Sequence, residues 1–269
     1  MLNNLSPWTL ALDGVAVLMY LVALSRKTQE RWVHALFVLA WYAHGLGVLL
    51  DMSGWGLKVD EGIRFGFATA LSLMVWLVLA VYLVERRFLP LPTGRRVMSG
   101  LGTASVLLAL LFPGDIYPQI TSALMPVHWA LGMASYGLFG AALLHAFWWS
   151  AAEKRLKNRT KKIDLNGEQG LSLMRLEKMT FQFVLAGFCI LSAALVLGWY
   201  VTTQWHWEHK IVFSIMAWVV FAALLAGRHF LGWRGRMALR WLYSGCALLL
   251  LSYVGSRFVL EVILHRMPV

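Results

Sequence analysis

The chain has 269 residues, 59% of them hydrophobic and only 14% charged, with a formal net charge of +11 and a mean hydropathy of +0.65. A soluble domain of this length carries about a quarter charged residues, so the composition excludes an ordinary soluble globular protein. The basic excess does not indicate nucleic acid either. The Lys and Arg residues lie in short stretches between apolar runs, which is the pattern of a polytopic membrane protein.

In chain order, the segment Met1 to Pro7 lacks a basic leader, so no cleavable signal peptide is expected and the first apolar run reads as a span. Eight spans are predicted, over roughly 8–25, 32–50, 63–84, 97–112, 127–151, 179–201, 211–227 and 238–257. A hydrocarbon core about 30 Å thick needs about 20 residues at about 1.5 Å each, so the fourth and seventh spans are the shortest candidates. The expected fold is all-α: one transmembrane domain over 1–269, built as a bundle of eight helices.

Eight spans put both termini on one face, and charge decides which. One set of loops and span ends holds Arg26, Lys27, Arg31, Arg86, Arg87, Arg95, Arg96, Lys154, Arg155, Lys157, Arg159, Lys161, Lys162, Arg175, Lys178, Arg228, Arg234, Arg236 and Arg240. The other holds Lys58, Arg64, Lys210, Arg257 and Arg266. The positive-inside rule makes the first set cytoplasmic, so both termini and the loop 202–210 are expected to be extracytoplasmic. The basic loop 153–178 reads as an orientation anchor beside anionic membrane lipid, or as a docking site for a partner. Within it, the stretch Gln169 to Lys178 is expected to extend the sixth helix. Cys189 and Cys246 fall inside spans and read as buried small hydrophobes rather than a redox pair.

The densest chemistry lies at Trp205-His206-Trp207-Glu208-His209-Lys210, followed by Trp218 and Arg228. Two indoles, two imidazoles and a cation at one membrane face suit a planar anionic metallotetrapyrrole, although interfacial belts also enrich Trp. Among the other histidines, His34, His145 and His229 sit near cytoplasmic span ends and His265 in the external tail, all expected to contact water or headgroups. His44 lies inside the second span, where it either hydrogen-bonds a neighbouring helix or ligates iron. His128 opens the fifth span, with Gly132 and Ser135 below it on the same helical face, a surface a flat ligand or another helix can approach. His128 and His145 are too far apart along one helix to share an iron, whereas His128 and His209 are expected on the same external face. No HxxxH, HExxH or CxxC spacing supports a zinc site. Heme fits better, with Lys210, Arg64 and Arg257 as cations for its propionates. Apart from His44, the spans read as lacking a relay of buried carboxylates or bases.

The run WHWEHKIVFSIMAWVVFAALLAGR resembles the tryptophan-rich segment of the cytochrome c assembly superfamily, which includes the CcsA, CcmC and HemX-like membrane proteins. Trp205, Trp207, Lys210, Trp218 and Arg228 match the family form, with Glu208 in place of an Asp. GWRGRMALRW, YVGSRFV and PVHWALGMASYGLF are similar to the segments around it, and the smaller HemX-like branch fits best. The departures are His209 for the family proline, Ile211 for a glutamate, and Ala226 where a second transmembrane histidine is expected, with His229 three residues on. The resemblance implies a heme-handling protein of a bacterial inner membrane that assists cytochrome c assembly or heme homeostasis. Its cofactor would be heme b, its iron ligands His128 and His209, its wall Trp205 and Trp207, and its propionate cation Lys210. His44 matches a transmembrane histidine of the family. Its partners would be lipid, heme and other cytochrome c assembly or membrane proteins, and no nucleic acid. The competing expectation is a non-heme accessory that stabilises a partner complex. A transporter or a stand-alone enzyme has less support, for want of paired broken helices or a nucleophile–base pair.

Overall fold

The computed structural model describes residues 6–24, 30–53, 63–86, 94–117, 124–158, 168–201 and 208–264. Among the described residues eight long helices follow one another: α1 Pro7–Leu24, α2 Glu30–Ser53, α3 Phe67–Glu85, α4 Gly94–Leu111, α5 Met125–Asn158, α6 Glu168–Val201, α7 His209–Leu231 and α8 Gly235–Leu250. Past Leu250 the last helix continues to Ile263 through two π-helical turns, Leu251–Gly255 and Val259–Ile263. Each helix occupies one of the apolar segments read from sequence. The helices α5 and α6 are each 34 residues long, about 50 Å and well beyond a hydrocarbon core. The start of α6 at Glu168 makes Gln169 to Lys178 part of that helix, as expected.

Among the described residues, seven helices are long and apolar enough to cross a membrane, and α4 is the one left out. Its first turn carries Arg95 and Arg96, and Ser99, Thr103 and Ser105 are buried. The polar face of α4 is therefore turned to protein, which lowers its mean hydropathy below that of a lipid-facing span. An unforeseen element is a small antiparallel pair, β1 Ile63–Phe65 with β2 Asp115–Tyr117, in register Ile63 to Tyr117 and Phe65 to Asp115.

The first helix starts where Ser6 caps it. The Thr9 amide donates to Ser6 Oγ at 3.1 Å, and Pro7 occupies the first helical position, where its missing N–H costs nothing. The α7 helix stops at Gly232 (φ +65°), and the Trp233 amide donates back to the Gly227 carbonyl at 3.1 Å. Gly235 is also left-handed (φ +60°), which permits the abrupt link into α8.

Two compact units form. The first comprises Met1–Met125 with Tyr253–Val269, and the second Pro126–Ser252. In the first, α1 packs on α2 and α4, and α3 on α2 and α4, around buried Tyr20, Phe37, Leu79 and Met98. Gly102 lets α4 approach closely, because a Cβ there would lie 2.8 Å from the Tyr20 ring. The C-terminal segment closes this unit: Phe258 and Phe112 both flank Phe67, with centroids at 5.3 Å. Glu261 Oε2 accepts from the Phe67 amide at 3.3 Å, capping α3 where Gly66 offers no side chain. In the second unit, Phe139 of α5 stacks on Phe221 of α7 at 3.9 Å. The Tyr136 hydroxyl donates to the Leu249 carbonyl at 2.7 Å.

Candidate functional site

In the second unit, His128 sits in the first turn of α5, half-buried against α6. Its Nδ1 lies 2.9 Å from the carbonyl oxygen of Ala194. A carbonyl only accepts, so Nδ1 carries the proton and Nε2 keeps its lone pair. Gly198 forms the floor under the ring, where a Cβ would lie 2.8 Å from His128 Cε1. One turn further along α5, a Cβ on Gly132 would meet no heavy atom within 4 Å. Ser135 is fully buried, and its hydroxyl donates to the Gly132 carbonyl at 2.7 Å. The small-residue face predicted below His128 is thus buried at Ser135 and open at Gly132.

His209 is the first residue of α7 and is exposed, as are Glu208 and Lys210. Lys210 pairs with Glu208 at 2.6 Å, both side chains about half exposed (53% and 50%). Solvent-facing pairs of this kind hold weakly and release their partners readily. No hydrogen bond, ion pair or ring contact joins His128 to His209 among the described residues. Trp205, His206 and Trp207 lie outside the described residues, as does His265.

The later members of the tryptophan-rich run are anchored inside the unit. Trp218 Nε1 donates to Ser192 Oγ of α6 at 2.8 Å, and its ring stacks on Phe188 at 5.3 Å. Arg228 pairs with Glu177 of α6 at 3.2 Å and lies 3.4 Å above the Phe181 ring. Arg234 reaches the same carboxylate at 4.0 Å. These two motif residues therefore tie α7 to α6.

In the first unit, His44 is fully buried on α2. Its Nε2 lies 2.8 Å from Ser72 Oγ of α3, and its Nδ1 lies 3.3 Å from the Tyr20 hydroxyl of α1. Both nitrogens are engaged, so the ring joins three helices. Iron ligation there requires one hydroxyl to turn away.

Several expectations are corrected. His145, expected at the interface, is 2% exposed; its Nδ1–H donates to the Ala141 carbonyl at 2.8 Å, and Trp148 and Phe183 flank the ring. Cys246 is buried as expected, but Cys189 is exposed on α6, where a small apolar side chain faces lipid at no cost. Arg64, expected to be available for a propionate, is buried and paired with Asp51 at 3.3 Å. Arg257 lies 3.9 Å from Glu261. The spans do hold buried carboxylates: Asp13 against Gly47, Asp51 at the end of α2, and Glu85 at the end of α3. A lone Asp in an apolar run was the available signal for Asp13.

Among the described residues no group of three or more His, Cys, Asp or Glu side chains could hold a bare metal ion. A family model for the cytochrome c assembly protein matches residues 30–264. The chain is 31% identical over 197 residues to the inner membrane protein YpjD of Escherichia coli (strain K12), covering 71% of this chain and 72% of that one. It is 20% identical over 223 residues to a cytochrome c biogenesis protein CcsA of Prochlorococcus marinus, covering 71% of each. No solved structure gives a significant match. With a match over nearly the whole chain and apolar helices throughout, this multi-pass membrane protein belongs to the cytochrome c assembly protein family.

Proposed function

We propose that the chain handles heme b at the outer face of a bacterial inner membrane and assists cytochrome c biogenesis or heme homeostasis. The observation that carries this reading is the His128 tautomer: Nδ1–H donates to Ala194, so Nε2 offers its lone pair. Metal-ligating histidines are characteristically held by such a bond from the other ring nitrogen to a carbonyl, which orients the ring and raises its basicity. The open surface at Gly132 supports the fit of a flat group beside that nitrogen. Bound heme would supply an iron that imidazole nitrogens can ligate. His128 would be one ligand, His209 the other, Trp205 and Trp207 the aromatic wall, and Lys210 the propionate cation once released from Glu208. His44 would serve a second, transient heme, at the expense of its Ser72 bond.

The accompanying topology is a single transmembrane domain of eight spans with both termini and the loop 202–210 outside. Its support is the one-sided distribution of Lys and Arg. The α4 helix, at 18 residues, is about 27 Å long and close to a hydrocarbon core. The direct test is heme titration of the detergent-purified protein: a Soret band that grows to saturation is expected, and its absence sinks the reading.

A second reading, a non-heme accessory to a partner membrane complex, draws on Trp218 and Arg228, which are spent on helix contacts. A stoichiometric partner recovered unchanged with the His128→Ala/His209→Ala variant would favour it.

A further inference from the structure

In the first unit, α2 and α3 enclose a groove of about 640 Å³ lined by His34, Val38, Trp41, Tyr42, Ala80, Leu83, Val84 and Arg86. That volume lies within the range of small-molecule sites. Its body is apolar and aromatic, and it opens outward at Tyr42 and Val84, which are 58% and 63% exposed. Its deeper wall is rigid. Trp41 and Trp76 stack at 4.8 Å with planes 3° apart. Trp41 Nε1 donates to the Trp76 carbonyl at 3.1 Å, and Trp76 Nε1 to the Trp41 carbonyl at 2.9 Å. The indole of Trp41 is thus fixed from behind.

One end of the groove carries its charge. Arg86 donates to Nδ1 of His34, so the guanidinium is held at the mouth. No carboxylate lines the groove, and Arg86 forms no ion pair among the described residues. A half-buried guanidinium with no carboxylate partner among the described residues, at the end of an apolar trough, is complementary to an amphiphile with an anionic head. The exposed Arg31 lies one turn before His34 on α2 and adds to the basic collar. Basic pockets between membrane helices are recognised sites for anionic lipid headgroups.

We propose that this groove binds one anionic phospholipid, its phosphate on Arg86 and an acyl chain along Val38, Trp41, Ala80 and Leu83. The site is independent of any heme bound elsewhere in the chain. Its test is native mass spectrometry of the full-length, heme-free protein released from nanodiscs of mixed phosphatidylglycerol and phosphatidylcholine. One retained phosphatidylglycerol per chain is expected. Arg86→Gln is expected to weaken its retention about fivefold, the loss of one basic residue's attraction. Ala80→Trp fills the trough without changing charge and is expected to abolish retention while the protein stays monodisperse. Three results would overturn the proposal: equal retention of both lipids by the wild type, retention unchanged in both variants, or displacement of the retained lipid by added heme.

Discussion

The Nδ1–H of His128 donates a hydrogen bond to the carbonyl oxygen of Ala194 across 2.9 Å, from the first turn of α5 to α6. The ring lies on Gly198, where any Cβ would press to within 2.8 Å of Cε1. Gly198→Ala should therefore displace the imidazole without removing it. Heme affinity is expected to fall roughly 10–100-fold, the usual loss when the group orienting a metal-bound histidine is disturbed. Heme titration against an unchanged thermal midpoint checks this. Unaltered affinity would detach the tautomer from ligand binding.

Removal of the His44 imidazole is expected to act first on stability. His44→Ala empties a fully buried site and strands Tyr20 and Ser72. A loss of about 2–4 kcal/mol follows from the cavity and the orphaned hydroxyls. Denaturation in mild detergent measures it, and heme stoichiometry on the same sample reads the second site. One heme fewer supports transient ligation there, and unchanged stoichiometry leaves His44 as a tie between helices.

Arg228 and Glu177 should behave as one unit. Arg228→Met and Glu177→Gln each break the 3.2 Å pair, and the arginine also leaves the Phe181 ring. Because both side chains remain partly exposed, each change is expected to cost about 1 kcal/mol. The double variant should cost clearly less than the sum. Additive effects in a double-mutant cycle would contradict the coupling.

The cap that Glu261 places on α3 predicts a local effect. In Glu261→Ala the Phe67 amide loses its 3.3 Å acceptor. Hydrogen exchange should quicken over the first turn of α3, by an amount equivalent to about 1 kcal/mol. Exchange unchanged there would show that another group replaces the carboxylate.

The helices were legible because span length and apolar composition are properties of contiguous sequence. The end signals were not read from the sequence: the Ser6 cap of α1 and the left-handed Gly232 and Gly235 after α7 emerge from the structure. The pairs that hold the helices together were not legible. Trp41 with Trp76, Glu261 with Phe67, and His44 with Ser72 join residues far apart in sequence, and no periodicity encodes which partner a side chain meets. The burial of Arg64 has a related reason: an Arg at the very start of an apolar run reads as interfacial until Asp51 is found beside it. His128 was singled out from its place at a helix entrance above small residues. What sequence could not supply was the Ala194 carbonyl, 66 residues away, which fixes its proton.

The most direct test of the heme reading compares wild type with His128→Gly during heme titration, with and without added imidazole. A saturable Soret band is expected in wild type, weakened strongly in His128→Gly and restored when free imidazole fills the vacated space. Equal heme uptake by both proteins, or no uptake by wild type, would contradict it.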